Sequence, residues 1–157
     1  MVGYAQFRHS FNGLSVGGSS LKKSSLLDIA TPSALIDRVT LVRNTQRMAK
    51  RAHELGVALR PHVKTHKCIE AARLQIATHF GGITVSTLAE ADAFARAGFN
   101  DVTYAVPLAP GKAKRAFELS QWVPKLRVLV DHEHAIDALL DAACGSSKSV
   151  SVLIKID

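Results

Sequence analysis

Three basic side chains, Arg60, His62 and Lys64, alternate along the short stretch 57–64. In an extended chain successive side chains point to opposite faces, so these three share one face, and Leu59, Pro61 and Val63 share the other. A lysine amine partly shielded from water becomes a neutral nucleophile toward an aldehyde. His62 beside it could touch a bound group or simply satisfy the interior. Lys155 lies in another apolar stretch, 150–156, and shares a face with Ser151, Leu153 and Asp157. By spacing alone the plainer reading is favoured, with Lys64 and Lys155 as ion-paired or solvated rim residues. Two other pairs carry ligand-type atoms, His66 with Cys68 and His132 with His134. Both fall at expected helix starts and are read as capping or surface residues, so no metal ligand is assigned.

Elements of alternating type must position these groups. Leu41, Thr45, Met48, Ala52 and Leu55 recur at helical spacing, and Gly56 is a natural stop. A strand over 57–64 follows, then a helix over 68–79 and a strand over 82–86. Thr87 and Glu90 form a capping-box pair that starts a helix ending near Gly98. A third strand, 101–106, is separated by Pro107 and Pro110 from a helix over 112–122. A fourth strand over 126–130 precedes a helix capped by Asp131 and running to about Ala143, and a fifth strand spans 150–156. Strands thus recur roughly every 20 to 25 residues with helices between, which predicts parallel pairing and right-handed crossovers.

Two α/β architectures fit: a complete open doubly wound sheet, or a partial (β/α)8 TIM barrel of about five parallel strands with intervening helices. The chain stops at the end of an apolar strand that no helix follows, which favours the partial barrel. In such a barrel Ile83, Val85, Val128 and Val130 meet the helices, and Thr84, Ser86, Arg127, Leu129 and Asp131 point to the axis. Charges facing that axis need partners or ligands. Lys64 and Asp157 fall at the C-terminal ends of their strands, where barrels build active sites.

The 157 residues suffice for one domain, and 47% hydrophobic against 21% charged residues are ordinary globular values. No apolar run approaches the roughly 20 residues that cross a bilayer, so no membrane association is expected. Cys68 and Cys144 cannot form a disulfide framework, which points to a reducing, cytoplasmic setting. The charge of +7 is scattered and aromatics are only 6%, so no nucleic-acid partner is expected; a small anionic ligand or plain solubility explains the excess. Residues 1–27 hold no acid and many Ser and Gly residues. They read as a flexible leader, with an organellar targeting segment as the alternative.

Leu59-Arg-Pro-His-Val-Lys-Thr-His-Lys67 resembles the lysine motif of the D-threonine aldolase and D-serine dehydratase family, pyridoxal-phosphate enzymes with an alanine-racemase-like barrel. Supporting segments follow in order: Thr31-Pro-Ser-Ala-Leu-Ile-Asp37, Val42-Arg-Asn-Thr-Gln-Arg-Met48, Val85-Ser-Thr-Leu-Ala-Glu-Ala91 and Leu153-Ile-Lys-Ile-Asp157. The resemblance spans residues 31–157 and implies that residues 28–157 are the N-terminal part of that barrel. It implies that Lys64, rather than Lys67, carries pyridoxal 5'-phosphate as a Schiff base, with His62 and Lys155 near the cofactor. The implied substrate is a small β-hydroxy D-amino acid and the implied reaction D-serine dehydration to pyruvate and ammonia. Retro-aldol cleavage of the D-threonine aldolase type is the alternative. The resemblance further implies zinc or another divalent metal, whose ligands lie outside this chain, and a homodimer at full length. The 157 residues alone are expected to be inactive, and a non-catalytic remnant or binding module is the other outcome.

Overall fold

The computed structural model describes residues 29–77 and 82–156. The expected leader, His79 and Asp157 lie outside them. Helix α1 (Arg38–Glu54) begins at Asp37, whose side chain accepts from the Thr40 amide, and gives way to Gly56 at φ 62. α2 (Ile69–Ile76) is followed by β1 (Ile83–Val85), α3 (Leu88–Arg96) and β2 (Asp101–Pro107). Then come α4 (Ala113–Ser120), β3 (Lys125–Val130), α5 (Glu133–Ala143) and β4 (Ser151–Ile154). The strands lie in chain order β1-β2-β3-β4 and every pair is parallel, as a βα repeat requires. Thr87 accepts from the Glu90 amide, and the Glu90 carboxylate reaches back to the Thr87 amide, closing the expected capping box of α3.

Alternation along the strands sorts the two sheet faces. Ile83, Val85, Val102, Tyr104, Leu126, Val128 and Val130 are buried in one cluster with Leu88, Phe94, Leu119 and Leu139 from the helices. The other face carries Thr84, Ser86, Asp101, Thr103, Arg127 and Leu129. β4 pairs with β3 from Arg127↔Ser151 to Val130↔Ile154, yet all four of its residues are exposed. Among the described residues no helix is long and apolar enough to cross a membrane.

Two expectations need correction. Residues 57–64 do not form a strand, so the sheet has four strands rather than about five. Only an isolated bridge pairs His62 with Thr84, supported by the Thr84 amide donating to the Pro61 carbonyl at 2.8 Å. Pro61 has no N–H to give a ladder, which restricts its segment to edge pairing. The His62 imidazole then accepts from the Lys64 amide at 3.3 Å and turns the chain into a short 3-10 turn, Val63–Thr65. The cap of α5 is likewise His132 rather than Asp131: its ring accepts from the His134 amide at 3.2 Å.

Candidate active site

The site is built where the chain leaves the His62 bridge, at the C-terminal end of the parallel sheet. Val63 is fully buried on the helix side and anchors the turn. Lys64, the middle residue of that turn, is exposed; it is not the last residue of a strand, and the alternation with Arg60 and His62 ends at Val63. His62 is half-buried, and its Nε2 lies 3.4 Å from the Ser86 hydroxyl at the end of β1. Because His62 Nδ1 accepts from the Lys64 amide, the neutral ring carries its proton on Nε2 and donates to Ser86. Burial lowers the His62 pKa below its ordinary 6.5, and the Lys64 charge lowers it further against an opposing pull from Glu90.

A linkage prediction follows from that shift. The unfolded chain binds the His62 proton more readily than the folded one, so stability rises with pH between the two pKa values and is reduced as pH falls through that window. Proton NMR of the imidazole should show a midpoint below 6.5; a midpoint above it would contradict the placement.

Glu90, only 4% exposed, joins the turn to the β1–α3 loop. Its Oε2 accepts from the Ser86 amide at 2.8 Å and the Thr87 amide at 3.3 Å, while its Oε1 lies 3.3 Å from the Lys67 amine. Thr87 and Glu90 are legible in the sequence as a cap, but nothing in their spacing shows that Lys67 would reach the same carboxylate.

The remaining predicted residues are not brought together there. Lys155 lies just past β4, separated from Lys64 by the width of the sheet, with its amide donating to the Val130 carbonyl at 2.8 Å. His66 is held between the Cys68 amide and Gln75 Oε1, both at 3.0 Å, and Cys68 caps α2. His132 and His134 stack at 4.6 Å, exposed at the start of α5.

At the opposite end of the strands Asp101 Oδ1 accepts from Arg60 and Arg127, each at 2.7 Å. This is the partner that an inward-facing charge requires. Burial raises the Asp101 pKa, but the two guanidinium groups outweigh it and hold it below 3.8. Gly82 makes room for the cluster, since a Cβ there would overlap the Arg60 guanidinium. A cavity of about 400 Å³ lies at this end, lined by Arg73, Phe99, Asn100, Asp101, Pro124 and Lys125 among others, and is remote from Lys64.

Known proteins resemble this chain. The family model for the alanine racemase N-terminal domain matches residues 36–157. D-threo-3-hydroxyaspartate dehydratase of Delftia sp. (strain HT23) is 40% identical over 135 residues, 86% of this chain and 36% of that protein. Its structure superimposes with a TM-score of 0.76 over 84% of this chain and 35% of its own, at 39% identity. D-serine dehydratase of Dictyostelium discoideum is 36% identical over 139 residues, 83% of this chain and 35% of that protein. The structure of D-threonine aldolase from Filomicrobium marinum gives a TM-score of 0.74 at 30% identity, over 84% of this chain and 36% of that one. The chain thus spans about a third of the length of these relatives.

Proposed function

The chain belongs to the alanine racemase N-terminal domain family, and on that premise we propose that it is the N-terminal part of a pyridoxal-phosphate-dependent lyase acting on β-hydroxy D-amino acids. The observation that carries the reading is Lys64: an exposed amine beside a neutral imidazole, at the sheet end where parallel α/β folds place their chemistry. D-Serine dehydration is the favoured reaction, supported by relatives at 40% and 36% identity that are both dehydratases. D-Threonine aldolase-type cleavage is the second reading, supported by the aldolase structure at 30% identity.

The residues present fit the cofactor in one respect, a primary amine offered at the open end of the sheet. Pyridoxal phosphate, when bound, supplies an electron sink that eases loss of a proton or a carbon substituent from the substrate α-carbon. Lys64 supplies the nitrogen for covalent attachment and, once free, the base for the α-proton. His62 stays neutral and holds the lysine-bearing turn through its Nδ1. Among the described residues no group of three or more His, Cys, Asp or Glu side chains could hold a metal ion. No step is assigned to it.

Borohydride reduction of the cofactor-loaded protein, followed by peptide mapping, should leave a stable adduct on Lys64. An adduct on another lysine, or none, would overturn the assignment. Release of pyruvate from D-serine separates dehydration from cleavage, which gives glycine and an aldehyde from β-hydroxy D-amino acids.

A further inference from the structure

Lys64 lies within the turn Val63–Thr65 and Lys67 just beyond it, and each carries a primary amine able to condense with an aldehyde. Their surroundings differ in one respect. Among the described residues no carboxylate lies within ion-pairing distance of the Lys64 amine, whereas the Lys67 amine sits 3.3 Å from Glu90 Oε1. Glu90 is in turn fixed: its side chain is 6% exposed, and its other oxygen accepts from the Ser86 and Thr87 amides. The carboxylate therefore cannot swing away to release its partner without breaking the α3 cap.

The backbone supports the same view. Lys67 adopts φ 48, a left-handed conformation that glycine takes at no cost and a lysine does not. The conformation is secured by the Lys67 amide donating to the Val63 carbonyl at 2.8 Å, and it places the amine on Glu90. A side chain is used here where none would be easier to fold.

We propose that Glu90 is a specificity-determining and positioning residue: it engages the Lys67 ammonium, so that carbonyl condensation takes place at Lys64 alone. Condensation joins the lysine nitrogen to the aldehyde carbon as a C=N bond and expels the carbonyl oxygen as water, and it requires an amine with a free lone pair. The Lys67 amine, anchored on Glu90 at 3.3 Å, would have to leave that contact before it could reach the carbonyl. This inference rests on the reading of Lys64 above and adds to it the reason for the choice between the two amines.

The test uses the full-length, cofactor-loaded protein. Reduction with borohydride and peptide mapping should find the adduct on Lys64 only in the unsubstituted protein. In Glu90→Gln, which keeps an acceptor for the Ser86 and Thr87 amides but removes the charge, the adduct should divide between Lys64 and Lys67. Glu90→Asp should restore Lys64 alone. A Glu90→Gln adduct confined to Lys64 would overturn the role of Glu90 while leaving the Lys64 assignment intact; no adduct on Lys64 in the unsubstituted protein would overturn that assignment first. Trace acetylation of the unsubstituted protein needs no variant. Lys67 should react about fivefold more slowly than exposed Lys114, the factor an ion pair of ordinary strength supplies. Equal rates would refute the proposal even if Glu90→Gln failed to fold.

Discussion

Lys64→Ala is expected to abolish the borohydride-stable adduct and to lower kcat for D-serine in the full-length protein on the order of ten-thousandfold, the scale lost when an attachment point and a base vanish together. Its stability should hardly change. Lys64 is exposed in the middle of a turn whose packing is supplied by Val63, and its backbone amide, not its side chain, is what His62 binds. Substitutions of exposed side chains away from such features stay within about 0.5 kcal/mol. Loss of turnover with unchanged unfolding would therefore separate a chemical role from a structural one. Added methylamine should restore part of the rate to Lys64→Ala by supplying the missing base. Lys64→Arg should not be rescued in this way and should stay inactive, since a guanidinium remains protonated. A Lys64→Ala protein that kept a tenth of its kcat would sink the assignment.

Much of this frame is legible in the chain itself, because period-two alternation and helix caps are local signals. Val128 and Val130 against Arg127 and Leu129 give the two faces of β3, and Thr87 with Glu90 gives the start of α3. The stretch 57–64 misleads for a local reason as well. Its alternation is that of a strand, but Pro61 removes a ladder donor and the His62 ring caps the following amide, so only one bridge forms. His132 displaces Asp131 as the α5 cap because an imidazole nitrogen can accept as a carboxylate does. What spacing cannot show is pairing across long separations. Arg60 meets Asp101 forty-one residues away, and Lys67 meets Glu90 only after β1 has been laid beside the turn. Alternation shows that Arg60 and Arg127 face inward and need a counter-charge; which carboxylate answers them is set by the strand register.

That carboxylate carries the second large effect. Asp101→Asn is expected to cost about 2–3 kcal/mol, below the 3–5 kcal/mol seen on breaking fully buried pairs because the three side chains retain some exposure. The side chains are 15%, 22% and 32% exposed for Asp101, Arg60 and Arg127. Removing the charge leaves two guanidinium groups facing one another across a neutral amide, at a point where Gly82 has already been left without a side chain to admit one of them. The exposed arginine partners of Asp92 provide a contrast, and Asp92→Asn should cost no more than about 1 kcal/mol. The effect has a pH signature whose sign is fixed. Asp101 is held below 3.8 in the folded chain, so its contribution is present above that value and is lost as pH falls through the lower, folded pKa. Urea unfolding should therefore show the gap between the unsubstituted protein and Asp101→Asn at pH 7 and a narrowing of that gap in acid. A gap that held constant into acid would mean that shape, rather than the shared charge, holds Arg60 and Arg127 at the base of the sheet.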